Sequence, residues 1–177
     1  MKKIVTILIT LIFIFTPCIN AKGLVSEKDE KNIKNLYNEQ ENEVVAVFNE
    51  SKPLFITNKD VYLMAQVVYG ESCGEPYRGK IAVASVILNR LISSKFPNTV
   101  EGVVKQKKAF SCVKNGSINI EPDKNSYNAV LDALKGKDPT SKALFFYNPK
   151  ISTCNWMKNI SKKNIITIGN HVFFAVK

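Results

Sequence analysis

The chain is poor in the residues from which most catalytic and metal sites are built. Its 177 residues include one histidine, one tryptophan and four cysteines, and no C-x-x-C pair occurs. A serine or cysteine triad would need His171 as its base, and no G-x-S-x-G motif is present. Gly70 and Gly74 lack the Gly-Lys-Ser/Thr sequence of a phosphate loop. These absences disfavour nucleophilic triads, zinc sites and nucleotide binding, so we expect no metal and no cofactor.

Long apolar runs are also scarce, with one exception at the N-terminus. Two lysines precede an apolar run at residues 4–15, which Pro17 follows and the small residue Ala21 closes. This pattern is typical of a secretory signal peptide, which we predict for residues 1–21. The run is short for a membrane span, and an uncleaved anchor is the alternative. We therefore expect an exported protein that is not stably inserted in a membrane once the signal has been removed.

Three cysteines would remain in the exported chain, which is an odd number for an oxidising compartment. One disulfide with a leftover thiol and three free thiols are both compatible with this count. Cys112 and Cys154 are candidates for pairing, which would leave Cys73 as the thiol.

Negative charge is scarce in the larger part of the chain. Residues 57–177 hold 18 Lys or Arg against 8 Asp or Glu, a net +10, whereas residues 22–56 hold 5 Lys against 7 Asp or Glu, a net −2. A strongly basic exported domain indicates an anionic partner, either nucleic acid or cell-wall polymer. Because no nucleic-acid reader motif or basic–aromatic stripe is present, we expect no nucleic-acid partner.

Hydrophobic periodicity predicts a helix-dominated α+β domain at 57–177 with a small antiparallel sheet. Residues 22–56 are polar and are predicted to form a linker or arm, in which 44–48 is compatible with a weak helix or a strand. In the first half we predict a helix from Thr57 or Asn58 to about Glu71, a turn at Gly74, and a helix with Pro76 at its first position that Lys95–Pro97 ends. A short helix from Asn98–Thr99 to about Gln106 and a hairpin over 110–118 follow. In the second half we predict a helix from Asp123 to Gly136 and strands over 143–148, 165–168 and 172–176.

One carboxylate lies on an apolar helical stripe. Val68 precedes Glu71 by three residues and Met64 precedes it by seven, so on a helix all three share one face. A partly buried position at a helix C-terminus disfavours the charged form of a carboxylate. Glu71 is therefore a candidate general acid.

A series of short motifs gives this residue a context. The stretch VVYGESCGEP at 67–76 is followed by GKIAVASVILNR at 79–90, and then in order by KFPNTV, AFS, DPT, ALFFYNP and GNHVF. This ordered series, which extends over nearly all of 60–175, resembles the SleB-type cell-wall hydrolases, the spore cortex-lytic enzymes and their relatives. The family often has Ala-Arg where this chain has Ser72-Cys73.

The resemblance implies a lysozyme-like, lytic-transglycosylase-type fold with Glu71 as the single catalytic glutamate. The implied reaction cleaves the β-1,4 bond between N-acetylmuramic acid (MurNAc) and N-acetylglucosamine (GlcNAc) in peptidoglycan. The implied partner is the glycan strand, bound by a monomer in the cell wall or the spore cortex region.

Other candidate residues are less sharply defined. Glu75 is either a second carboxylate in a water-using hydrolase or a cap on the following helix, and capping is the preferred interpretation. A structural role is preferred for His171 over a catalytic one, and Asn89–Arg90 is expected to fix structure. A non-catalytic wall-binding domain is a further hypothesis. The candidate substrate-binding residues are Phe110, Ser111, Tyr147, Asn148, Trp156 as an aromatic sugar platform, and His171.

Overall fold

The computed structural model describes residues 44–49 and 52–176, so the predicted signal peptide and most of the predicted arm lie outside the described residues. The described elements confirm the helix-dominated α+β class. In chain order they are β1 (Val44–Asn49), β2 (Lys52–Thr57), α1 (Asn58–Ser72), α2 (Tyr77–Ile92), α3 (Val100–Val104), α4 (Lys124–Leu134), β3 (Phe145–Tyr147), α5 (Asn155–Asn159), β4 (Lys162–Ile168) and β5 (His171–Val176).

Helix α2 is the centre of the core. Twelve of its 16 residues are buried, which is why its sequence is apolar on nearly every side. Helices α1 and α4 both pack against it. The small side chains of Ala82, Ala84 and Ser85 allow this close approach, as the sequence predicted.

Side-chain caps fix where the flanking helices begin. Thr57 and Asp60 form a capping box at the start of α1, in which each side chain accepts a hydrogen bond from the other residue's backbone N–H. Asp123 caps α4 by accepting the backbone N–H of Ser126 at 2.7 Å. The bounds of α1 therefore follow the prediction closely, and its last turn carries Glu71.

The sheet brings the C-terminal segment back onto the helices. Its strand order is β3–β5–β4, and both pairings are antiparallel. The middle strand β5 carries Phe173 and Phe174, both fully buried. The tight turn at Gly169–Asn170 joins β4 to β5 and delivers His171 at the start of the middle strand.

Several predicted bounds need correction. Residues 44–49 and 52–56, assigned to the arm, form with Thr57 the antiparallel strands β1 and β2, so the strand alternative is the one observed for 44–48. Ile56 is buried in the core. Helix α2 begins one residue later than predicted, with Pro76 as its N-cap. Helix α3 ends at Val104, short of Gln106.

The prediction of a hairpin over 110–118 is right about the turn and wrong about the two strands beside it. The turn at Asn115–Gly116 is present, with φ values of 51° and 76°, but one isolated bridge between Lys114 and Ser117 is all that pairs there. The backbone of this segment has another partner, because the N–H of Cys112 donates to a side chain of α1. None of the described helices has the length and apolarity that a membrane crossing requires.

Candidate active site

Glu71 lies in the last turn of α1 with its carboxylate held by a neighbouring segment. The Ser111 hydroxyl donates to Glu71 Oε1 at 2.9 Å, and the backbone N–H of Cys112 donates to the same oxygen at 3.0 Å. Val68 and Met64 below it are fully buried, as the helical phase predicted. Because a backbone N–H can only donate, Oε1 is fixed as an acceptor, and Oε2 is the oxygen left to carry a proton.

Gly70 explains how the two segments come so close. A Cβ atom at this position would lie 2.6 Å from Cys112 Cβ and 2.9 Å from Ile120 Cδ1. Real side chains do not approach to such distances, so a larger residue at position 70 would push the 110–120 segment away. Gly70 therefore permits the contacts that hold the Glu71 carboxylate.

A buried lysine fixes the end of the same helix. Lys80 of α2 is 5% exposed, and its Nζ donates to the carbonyl oxygen of Ser72 at 3.1 Å. A cation at the C-terminal end of a helix satisfies a carbonyl that has no partner within the helix. Lys80 thereby ties the last turn of α1, with Glu71 in it, to the central helix.

Glu75 has a different partner from the one predicted. Its Oε2 accepts the backbone N–H of Asn170 at 2.9 Å and its Oε1 accepts Asn170 Nδ2 at 3.1 Å. No side-chain hydrogen bond caps the start of α2, and whether the charge of Glu75 stabilises the N-terminal end of that helix stays a prediction. The Glu75 side chain bonds to Asn170 instead, because the β4–β5 turn offers the carboxylate two donors in one residue. Its role as a second catalytic carboxylate stays a prediction.

His171 is a buried imidazole at the start of β5. It is 8% exposed, and the ring of Phe146 lies edge-on to it at 5.3 Å. Burial lowers the pKa of His171, and the charges of Glu75 and Glu71 oppose that shift. Its Nδ1 has no hydrogen-bond partner among the described residues. Burial thus favours the neutral form of the ring, and whether it binds substrate stays a prediction.

Arg90, which was expected to fix structure, is buried close to the site. Its side chain is buried, its Nε donates to the Leu144 carbonyl at 2.9 Å, and its guanidinium lies 5.1 Å from the ring centre of Phe110. Phe96 and Phe145 enclose it on other sides. Burial lowers the pKa of Arg90 to about 10, and the charge of Glu71 opposes that shift. An arginine at the end of the mostly apolar run from Ile81 to Leu91 was the available sequence signal.

Three further candidate residues lie on β3, just after it and on α5. Tyr147 packs edge-on against Phe174 at 5.9 Å, and Asn148 Oδ1 accepts the backbone N–H of Lys150 at 3.0 Å. Trp156 is 48% exposed, with its other side against Phe145. No hydrogen bond or ring contact joins them to Glu71 in the described part of the chain, so their substrate-binding roles stay predictions. Phe110 is buried, and Ser111 is the candidate brought directly to Glu71.

The three described cysteines are free thiols, so pairing of Cys112 with Cys154 is not observed. Cys73 and Cys154 are exposed. Burial, followed by the charge of Glu71, raises the pKa of the Cys112 thiol to about 12. No group of three His, Cys, Asp or Glu side chains in residues 44–49 and 52–176 is arranged to hold a metal ion.

Known proteins share both the sequence and the fold of this domain. A spore cortex-lytic enzyme of Bacillus cereus is 45% identical over 134 residues, which cover 76% of this chain and 51% of that protein. A spore cortex-lytic enzyme of Bacillus subtilis is 46% identical over 117 residues, which cover 66% of this chain and 38% of that protein. The chain thus spans about half or less of the length of these curated relatives.

Two solved structures match the domain almost over their whole length. The catalytic domain of the Bacillus cereus SleB protein has a TM-score of 0.63 at 44% identity, with 72% of this chain and 98% of that domain covered. The catalytic domain of the germination-specific lytic transglycosylase SleB from Bacillus anthracis gives 0.62 at 43% identity, with 72% and 100% covered. The family model described as Cell Wall Hydrolase matches residues 74–174. This chain therefore belongs to the cell wall hydrolase family.

Proposed function

We propose that this protein is a lytic transglycosylase that cleaves the β-1,4 bond between MurNAc and GlcNAc in peptidoglycan. Glu71 is the proposed acid and base. The observation that carries the proposal is the Glu71 carboxylate at the end of α1, with Oε1 bound by Ser111 and the Cys112 N–H. This arrangement orients one carboxyl group beside an exposed serine while leaving Oε2 available to a substrate.

The reaction needs no second protein carboxylate. Glu71 gives its proton to the oxygen of the departing GlcNAc as the C1–O bond of MurNAc breaks and oxocarbenium character develops. The 6-hydroxyl of the same MurNAc then attacks C1, and its proton passes to the Glu71 carboxylate. The product carries a 1,6-anhydro ring, no water is consumed, and the acid is regenerated.

The contacts of Glu75 favour this mechanism over a water-using one. Both of its oxygens are bound to Asn170, so activation of a water would require it to give up at least one of those hydrogen bonds. An inverting hydrolase would also need space for that water between the carboxylate and the sugar. The hydrolase reaction is the alternative, and its product has a reducing end in place of the anhydro ring.

Spore cortex is the proposed substrate form. The support is the name spore cortex-lytic enzyme, which the curated relatives carry, and the germination-specific description of the Bacillus anthracis structure. We further propose that the protein acts outside the membrane, in the wall or cortex, as its predicted signal peptide implies. The net charge of +10 suits an anionic wall polymer.

Mass spectrometry of digestion products tests the proposal. Purified cortex and vegetative peptidoglycan are each incubated with the wild-type protein and with the Glu71→Gln and Glu75→Gln variants. We expect anhydromuramic ends from wild type and from Glu75→Gln, and a loss of at least about 1,000-fold in rate for Glu71→Gln, because the amide has no acidic proton. Normal digestion by Glu71→Gln would refute the mechanism. Reducing ends that vanish in Glu75→Gln would establish the hydrolase, and wall pelleting without soluble fragments would indicate a binding domain.

A further inference from the structure

A cleft of about 660 Å³ opens directly beside the candidate acid. One wall is the segment from Lys105 to Ser111, and the turn at Asn115–Gly116 and the residues Thr153 and Cys154 complete it. Ser111 belongs to both features, because it lines the cleft and donates to Glu71 Oε1 at 2.9 Å. A ligand in this cleft would therefore be one side chain away from the proposed acid.

The cleft is cationic. Lys105, Lys107 and Lys108 contribute to its lining, and none of the lining residues is acidic. Lys105 is neutralised by an ion pair with Glu101 at 2.5 Å. Lys107 and Lys108 are exposed and form no ion pair with any residue in the described part of the chain. Two uncompensated positive charges thus face a concave surface large enough for a small ligand.

We propose that this lysine cleft, defined by Lys105, Lys107, Lys108 and Ser111, binds a carboxylate of the peptide carried by the MurNAc residue at the cleavage site. The proposal rests on the proposed function, since it assumes a peptidoglycan strand at Glu71. The sugars of that strand are uncharged, because the lactyl carboxyl of a peptide-bearing MurNAc forms the amide bond to the peptide. The carboxylates of the peptide are therefore the nearest anionic groups. Lysine recognises a carboxylate as a point charge and tolerates variable geometry, which suits a flexible peptide.

The cleft would then favour binding of glycan strands whose MurNAc residue at the cleavage site carries a peptide with free carboxylates. A MurNAc residue with a free-acid peptide gains attraction from Lys107 and Lys108, whereas a muramic lactam, which has neither a peptide nor a free carboxylate, gains none. Exposed ion pairs are individually weak, so the two lysines together are expected to change affinity by about three- to tenfold. The preference should weaken as salt is added, because exposed charges are screened.

Calorimetric titration with a soluble probe tests the cleft without requiring turnover. The Glu71→Gln protein is titrated with a disaccharide–peptide that bears free carboxylates and with the same molecule after conversion of its carboxylates to carboxamides. We expect the acid form to bind about three- to tenfold more tightly. Adding Lys107→Gln and Lys108→Gln should abolish that difference and leave the affinity for the amide form unchanged.

A matched control removes the same charge elsewhere. Lys124 and Lys163 are exposed and do not line the cleft, so Lys124→Gln with Lys163→Gln should retain the acid preference. The proposal is overturned if the cleft variant keeps the preference, if both double variants lose it equally, or if the parent shows none. It is also overturned if a glycerol phosphate oligomer, and not the acid probe, binds in a manner that depends on Lys107 and Lys108.

Failure of the proposed function gives a separate result. If wild-type protein releases no fragments from peptidoglycan while the acid probe still binds through Lys107 and Lys108, the catalytic proposal fails and the cleft assignment stands. If fragments are released but the probe preference is absent, the catalytic proposal stands and the cleft assignment fails.

Discussion

Glu71 takes its orientation from a serine and a backbone amide that lie 40 and 41 residues further along the chain. Neither donor belongs to its own helix. The carboxylate is therefore only as well ordered as the segment around Ser111, whose backbone forms little regular structure of its own. The contribution of each donor can be separated, because one is a removable side chain and the other is main chain.

Ser111→Ala removes one of these two hydrogen bonds and is expected to lower kcat about fivefold, equivalent to roughly 1 kcal/mol, with little change in KM. Steady-state release of soluble fragments measures both constants. Ser111→Thr, which keeps a hydroxyl, should recover most of the rate. Ser117→Ala removes an exposed hydroxyl from the same segment and serves as the control. An equal loss in that control would contradict a specific role for the Ser111 hydroxyl.

Cys112 should be the least reactive described thiol. Its pKa is raised to about 12 by burial and by the Glu71 charge, and the thiolate is the species that is alkylated. Iodoacetamide at pH 8, followed by peptide mapping, should modify Cys73 and Cys154 in the native protein. Modification of Cys112 should require denaturation. Equal labelling of all three in the native state would show that the site does not shelter Cys112 as described.

Contacts between elements depend on glycines where no side chain would fit. Gly70 lets the 110–120 segment meet α1, and Gly169 lets the β4–β5 turn meet Glu75, two residues before α2. A Cβ atom at Gly169 would lie 1.9 Å from Glu75 Oε2, and the residue has a φ of 60°. The hydrogen bonds from Asn170 to Glu75 therefore depend on the residue that precedes Asn170 in the turn.

Gly169→Ala should destabilise the protein more than a matched glycine replacement. Gly116 also has a positive φ, of 76°, but open space where its Cβ would lie, so Gly116→Ala reports the backbone cost alone, about 1–2 kcal/mol. We expect Gly169→Ala to lower the free energy of unfolding by a further 1–3 kcal/mol, roughly, because Glu75 must be displaced. Urea unfolding measures both variants. Equal losses would mean that the Glu75 contact contributes nothing.

The molecule as a whole combines a high positive charge with a single histidine. The net charge is +10 at pH 7, and His171 is the one imidazole in the chain. Any change in stability between about pH 5 and 7 can therefore be attributed to His171 more cleanly than in most proteins, since carboxylates titrate mainly below this range.

His171 should make the protein less stable as the pH falls below about 6.5. Burial lowers its pKa in the folded state from the ordinary value of 6.5, so the unfolded chain takes up a proton first. The loss begins near pH 6.5, continues until the folded-state pKa is passed, and cannot exceed about 1.4 kcal/mol per pH unit. Urea unfolding at pH 5, 6 and 7 should show this slope in wild type and a flatter one in His171→Gln. Parallel slopes would refute the assignment.

Helical phase and capping residues made much of this fold predictable. Thr57 and Asp123 predicted the starts of two helices, and the apolar run with small residues between Ile81 and Leu91 predicted the central helix. These signals are local, since a cap or a 3.6-residue stripe is encoded within a few positions. The prediction failed for the strands of segment 110–118 because only its turn is encoded locally. The backbone N–H of Cys112 in this segment donates to Glu71, which is distant in the sequence.

The sequence by itself determined the helix-dominated class, the family and the position of Glu71 on the inner face of α1. Only the tertiary structure decided which groups surround that carboxylate. The donation from Ser111 and Cys112, the capture of Glu75 by Asn170 and the burial of Arg90 among aromatic rings all join residues far apart in the chain. Such contacts depend on how separate elements pack, and no spacing in a single sequence encodes them.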